Sequence, residues 1–259
     1  MTVRLFATRD PADPALARLD AAAARHLRAR RVSPGEPVVL VLGPGQEHDA
    51  VVLRIEGGGA DCRVGAARPA NLADPSRPTV LCVGLADPGR LDLVVEKSTE
   101  LGATRVVVFR AKRSQLASVP ASRLDRWRRI AISACEQCGR SWPPSIEAGG
   151  DVDDVAALVA TAADAVVFTA PGGAPARAGD GGETPRGAPA RPGAPVVFVV
   201  GPEGGLDDDE VRRLIAAGAR AASLGPRVLR FETAAIAALA RHAVDADGWS
   251  TGVPAKPLE

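Results

Sequence analysis

Apolar positions in the first ~70 residues come in short runs broken by turn signals, the pattern of a small β-rich domain. Val38 to Leu42 and Ala50 to Ile55 read as strands, and Gly43-Pro44-Gly45 and Gly57-Gly58-Gly59 supply the breaks. Ala21 to Arg31 is a short helical piece, and Pro69 to Pro78, with Asn71, Asp74, Pro75 and Ser76, is a linker by composition. From Thr79 the rhythm changes to alternating strand and helix. Val80 to Leu85 is a strand, Arg90 to Leu101 a helix, Val106 to Phe109 a strand, Ser122 to Cys138 a long helix and Ala165 to Thr169 a strand. After Pro171 to Pro195 the pattern restarts with strand Pro195 to Val200, helix Asp208 to Ala217, strand Ala221 to Leu224 and helix Glu232 to Asp245. Such alternation predicts an α/β domain with a parallel sheet covered by helices. The stretch Pro171 to Pro195 is built almost wholly of Gly, Ala, Pro, Arg and acids, which predicts a flexible insert because it cannot bury enough apolar surface. The division expected is therefore 1–72 and 73–259, with the insert at 171–195. No internal repeat is present.

Composition narrows the function classes. The 259 residues carry 32 Lys and Arg against 31 Asp and Glu, a net charge of +1, so the chain does not grip nucleic acid with its whole surface. Local basic spots remain: Arg25, Arg28, Arg30 and Arg31 lie in one helical piece without an acid among them, which suits either phosphate contacts or a solvated face. Aromatics are 3% with no Tyr, which excludes base-stacking readers of the RRM or OB-fold kind. No apolar run approaches the ~20 residues a membrane span needs, and the N-terminus lacks a signal-peptide stretch, so a cytoplasmic location is expected. The four cysteines include one lone C-x-x-C, Cys135 and Cys138, late in a helical stretch and without a second ligand pair, which reads as ordinary thiols rather than a redox or zinc site. With three histidines and none in a glycine-rich loop, neither histidine catalysis nor a metal centre is expected.

The chemistry concentrates in two loops. Val196 to Val200 runs into Gly201-Pro202-Glu203-Gly204-Gly205-Leu206, a strand ending in a glycine-rich loop that opens a helix. Ligands of open α/β sheets bind beyond the carboxyl ends of strands, where glycines let backbone N–H groups approach closely. The loop fits neither G-x-G-x-x-G nor G-x-x-x-x-G-K-[ST], so dinucleotide and ATP phosphate sites are poor readings. A second loop, Leu224-Gly225-Pro226-Arg227-Val228-Leu229-Arg230-Phe231-Glu232, again follows a strand and enters a helix. Two strand ends of one sheet can frame one pocket, in which Arg227 and Arg230 suit an anionic substrate and Glu203 and Glu232 suit a proton or hydrogen bonds. A tight strand-to-helix turn and an acid answering a helix dipole explain the same residues structurally.

GPEGG followed by LGPRVLRFETA resembles the SPOUT class of S-adenosylmethionine-dependent RNA methyltransferases, and within it the RsmE family. HLRARRVSPGEPVVL, EKSTELGATRVVVF and RWRRIAISACEQCGR, in the same order, extend the resemblance over nearly the whole chain. The resemblance implies an N-terminal PUA-like β-barrel that binds RNA, a SPOUT α/β domain with a C-terminal trefoil knot, and a homodimer. It implies methyl transfer from S-adenosylmethionine to N3 of uridine 1498 in 16S ribosomal RNA, within the small ribosomal subunit. Carried onto this chain, the cofactor loops are Phe168, Thr169 and Ala170; Gly201, Pro202, Glu203, Gly204 and Gly205; and Leu224, Gly225, Arg227, Val228 and Leu229. Arg230, Glu232 and Glu203 become the catalytic candidates, and no metal is implied. RNA contacts are expected at Arg25, Arg28, Arg30, Arg31, Lys112, Arg113, Arg126 and Arg129. The chain departs from the family at Ala86-Asp87-Pro88-Gly89, where relatives usually carry Lys, at Lys112, where they carry Glu, and at Phe231, where a small polar residue is usual. From the residues themselves, a non-catalytic RNA-binding assembly factor and a small-molecule α/β transferase also remain open.

Overall fold

A computed structural model describes residues 3–69, 77–171 and 193–247. The expected linker and the insert at 171–195 lie largely outside the described residues. Two compact units account for the rest: 3–69 with 132–143, and 77–131 with 144–171 and 193–247.

In the first unit, β1 (Arg4–Phe6), β2 (Thr8–Arg9), β3 (Leu16–Leu19), β4 (Pro37–Gly43), β5 (Gln46–Glu56) and β6 (Gly59–Arg68) form one mixed sheet. Its order is β1-β4-β5-β6-β3-β2, parallel only between β1 and β4. Helix α1 (Ala21–Ala29) starts where the Asp20 carboxylate accepts the Ala23 N–H at 2.8 Å, and Arg31, at φ 57°, turns the chain out of it. Leu27 of α1 joins Leu5, Leu19, Leu40 and Val52 in the core. An acid sits inside: Glu47 is fully buried, accepting from Arg4 Nη2 at 2.9 Å and from Ser141 Oγ at 2.7 Å. Pairing buries this carboxylate at a tolerable cost and ties Ser141 to β5. Strand β6 was not legible from its pattern, because GADCRVGAAR buries only Ala60 and Cys62; its long hydrogen-bonded pairing with β5 makes it a strand.

The second unit carries β7 (Thr79–Gly84), β8 (Arg105–Arg110), β9 (Ser145–Asp151), β10 (Asp164–Phe168), β11 (Val196–Val200) and β12 (Arg220–Ala222). Every pairing is parallel, in the order β12-β10-β11-β7-β8-β9, as the strand–helix alternation predicts. Leu81, Val83, Val106 and Phe198 point to one face, packed with Leu91, Val94 and Val95 of α2 (Pro88–Glu100), Trp127 of α3 (Ala121–Cys138) and Ala235 and Leu239 of α6 (Phe231–Asp247). Val80, Cys82, Val107 and Val197 point to the other, against Val155 and Val159 of α4 (Val152–Ala160) and Leu214 of α5 (Asp208–Ala216). Burial on both faces is why these strands read as unbroken apolar runs. Two elements lie outside the expected pattern. β9 buries only Ile146 of SIEAGGD, as an edge strand can, and α4 is announced by a capping box between Asp151 and Asp154 rather than by a long apolar stripe. All four cysteines are free thiols, and no helix among the described residues is long and apolar enough to cross a membrane.

Candidate functional site

Strands β7, β8 and β9 run toward one edge of the parallel sheet and β11, β10 and β12 toward the other, so the order reverses beside β7. The loops leaving β10, β11 and β12 meet there around a cleft of about 350 Å³, within the range of small-molecule sites. Phe168, Thr169 and Ala170, Gly201 through Gly205, and Leu224, Arg227, Val228 and Leu229 all line it. Gly225 is not in the lining, but its φ of 116° turns the third loop. Val200, Leu206 and Phe231 add apolar surface, so the wall combines peptide groups with aliphatic and aromatic faces.

That wall is made of closely packed backbone. A Cβ on Gly84, at the end of β7, would stand 2.3 Å from Pro202 Cδ and 2.4 Å from Pro202 N; one on Gly201 would stand 2.7 Å from Leu206 N and 2.8 Å from the Gly205 carbonyl carbon. Glycine at both positions is thus a packing requirement of the β11 loop. The helix after the loop is locked by a second capping box, in which Asp207 accepts the Glu210 N–H and Glu210 accepts the Asp207 N–H, both at 2.8 Å.

The charged candidates divide. Arg227 and Arg230 are exposed and make no ion pair among the described residues, and Arg230 is outside the cleft lining. Glu203 lines the cleft and accepts the Asp87 N–H at 2.9 Å; Glu232 does not line it. Both carboxylates converge on Arg90 of α2, which stands 3.8 Å from Glu203 and 3.1 Å from Glu232. Arg90 was not among the expected site residues, although it follows the strand-to-helix loop after β7 just as the two Gly-Pro loops follow β11 and β12. Arg113, expected on RNA, donates to the Gly204 carbonyl at 3.0 Å and lines the cleft. No cluster of three or more metal-ligating side chains occurs among the described residues.

Residues 74–243 match the model of the RNA methyltransferase domain family. Ribosomal RNA small subunit methyltransferase E of Mycobacterium bovis is 33% identical over 226 residues, covering 85% of this chain and 82% of the relative. The chain belongs to the ribosomal RNA small subunit methyltransferase E family. Its namesake from Bacillus subtilis is 32% identical over 160 residues, covering 60% of this chain and 61% of the relative. A crystal structure of the family member from Neisseria gonorrhoeae, bound to S-adenosyl methionine, superposes with a TM-score of 0.76 at 27% identity, covering 94% of this chain and 98% of that one.

The residues expected on RNA are spread over both units. In this family member Arg25, Arg30 and Arg31 are exposed with no ion pair among the described residues, while Arg28 donates to the Glu56 carbonyl. Lys112 is 2.7 Å from Asp207, Arg126 is 2.8 Å from Asp92 and Arg129 donates to the Asp125 carbonyl at 3.2 Å. The Lys112 and Arg126 pairs are exposed and screened by water and salt.

Next to α1, burial pushes the Glu136 carboxyl up to about 7; Asp20 adds to the rise and the Phe6 N–H opposes it. His26, 4.0 Å away, is lowered by burial and by Arg30. A carboxyl raised on folding stays protonated while the unfolded chain ionises, so its share of stability falls as pH rises from about 4.5 to about 7 and is flat above. Glu136→Gln should therefore stabilise by order 1–3 kcal/mol at pH 8 and by nearly nothing at pH 4. Thermal melts of both proteins at the two pH values check this; equal differences would contradict it.

Proposed function

We propose that this chain transfers a methyl group from S-adenosylmethionine to N3 of a uridine, position 1498, in 16S ribosomal RNA. The observation that carries the reading is the meeting of three Gly- and Pro-rich strand-end loops at one cleft of about 350 Å³. That lining fits the cofactor: peptide N–H and C=O groups suit the purine edge, and Phe168, Leu206, Leu224 and Leu229 suit its face. When bound, the cofactor supplies a methyl group on a positively charged sulfur.

Uridine N3 carries a proton that must leave as the nitrogen attacks, and the uracil carbonyls gain negative charge. Arg230 stabilises that charge, because its guanidinium is exposed beside the cleft and engaged with no acid among the described residues. Glu203 is the proton acceptor, since it lines the cleft and Glu232 does not. Arg90 holds both carboxylates and so positions the β11 loop against the start of α6. Val200 and Phe231, both buried, give the cleft an apolar floor.

The finer architecture belongs to the same reading. A trefoil knot is supported by the insertion of β11 between the earlier strands β10 and β7. A PUA-like barrel is supported by the curled mixed sheet, with its register shifts in β5, closed on α1. A homodimer is supported by Val228, 80% exposed in a cofactor loop. The 16S RNA is met in the small subunit, in the cytoplasm, through Arg25, Arg30, Arg31 and the α3 arginines.

Calorimetric titration of S-adenosylmethionine into the full chain and a methyl-transfer assay on 16S RNA, each with the Glu203→Gln variant alongside, test this reading. Expected are one binding event in both proteins and a kcat for methyl transfer about 10²-fold or more lower in the variant. No cofactor binding would overturn the function, and an unchanged kcat would remove Glu203 as the base.

A further inference from the structure

A second cleft, of about 510 Å³, lies beyond the carboxyl ends of β8 and β9. It shares two pieces of chain with the first. Arg113 lines the cofactor cleft and Lys112 the second; Val211 of α5 lines the first and Glu210 the second. Neighbouring Cα atoms are ~3.8 Å apart, so only the thickness of the chain separates the two clefts there.

Its charges are arranged for an anion. Arg110, the last residue of β8, is exposed and makes no ion pair among the described residues. Lys112 and Arg213 pair with Asp207 and Asp153 at 2.7 and 2.8 Å, but their side chains are 72% and 48% exposed, and such pairs exchange readily for another anion. The acids in the lining are engaged with main-chain groups. Glu210 is buried and accepts the Lys112 and Asp207 N–H groups at 2.7 and 2.8 Å, and Asp151 accepts the Asp153 N–H at 2.9 Å. Gln115 is exposed, and Leu116, 40% exposed, is one of few large apolar side chains the described surface shows. Ser114 holds this loop in place, donating its N–H to the Ala111 carbonyl at 3.0 Å and accepting the Ala111 N–H on its hydroxyl at 3.1 Å.

We infer that this cleft holds a nucleotide of the RNA strand whose target base enters the cofactor cleft, with its phosphate on Arg110, Lys112 and Arg213 and its base or ribose against Gln115 and Leu116. The inference rests on RNA as the substrate. A base seated against an aliphatic side chain suits a chain with no Tyr. Phosphate contacts fix the register of the strand, and a seat one chain thickness from the methyl donor sets which base reaches it.

Arg110→Gln and, separately, Arg213→Gln in the full chain test it, by fluorescence anisotropy with a short single-stranded RNA containing the target uridine, over a salt series. Each variant should bind RNA at least 5-fold more weakly at low salt, with a log–log salt slope shallower by ~0.7 for each phosphate no longer neutralised. Cofactor affinity and melting temperature should match the parent. Affinity and slope equal to the parent's in both variants overturn the cleft, as does a parent chain that binds no RNA. Methyl transfer by the parent is scored separately: transfer with unchanged variant affinities sinks the cleft alone, and weakened affinities without transfer sink the enzymatic reading alone.

Discussion

Replacing Gly84 with Ala should abolish cofactor binding and lower the melting temperature by roughly 5–10 °C, the effect of about 2–3 kcal/mol on a domain of this size. The added Cβ would stand 2.3 Å from the Pro202 ring, 2.4 Å from Pro202 N and 2.9 Å from the Gly201 carbonyl carbon. None of these atoms belongs to a flexible side chain, so the β11 loop itself must move. That movement displaces Gly201 through Gly205, one of the three walls of the cleft, and strains the Asp87 N–H bond to Glu203 and the Arg90 pairs behind it. Gly57→Ala is the control, because a Cβ there meets nothing within 4 Å; it should change stability by less than about 0.5 kcal/mol. Calorimetric titration and thermal melts of both variants check the pair. A Gly84→Ala protein with normal cofactor affinity would show that the cleft does not depend on this backbone approach.

Arg230→Ala should reduce methyl transfer by about 10²–10³-fold while leaving cofactor affinity and melting temperature nearly unchanged. The contrast follows from its surroundings. Arg230 is exposed, outside the cleft lining and in no ion pair among the described residues, so its loss removes no packing and leaves no buried acid unpaired. In the proposed mechanism it removes a cation beside the place where uracil carbonyls gain charge. Arg90 offers the opposite case, since removing it leaves Glu203 and Glu232 without their shared guanidinium, and its loss should disturb cofactor affinity as well. Single-turnover rates at saturating cofactor and RNA measure the Arg230 effect directly, and near-normal turnover would take it out of the mechanism.

The parallel unit was legible because its strands are buried on both faces: VVFVV and TVLCVG show as apolar runs that no surface element would carry. The loops after β11 and β12 were legible because Gly-Pro pairs at strand ends stand out locally. What was not legible depends on partners distant in sequence. β6 and β9 are strands through pairing with β5 and β8 rather than through their own composition. Arg90 stood outside the expected site because its meaning lies in two acids more than 100 positions away, Glu203 and Glu232. Nor does its position in sequence tell that Arg113 reaches the Gly204 carbonyl, 91 positions away, and so lines the cleft. Charge counting likewise could not tell Arg126, held by Asp92, from Arg25, which has no such partner among the described residues.

The most direct measurement is transfer of a labelled methyl group from S-adenosylmethionine to naked 16S RNA, free small subunits and intact ribosomes, followed by mapping of the modified base. Expected is one methyl group on N3 of a single uridine, 1498, incorporated most rapidly into small subunits and lost in Glu203→Gln and Arg230→Ala. Cofactor binding without transfer to any of the three, or label mapped to another base, would contradict it.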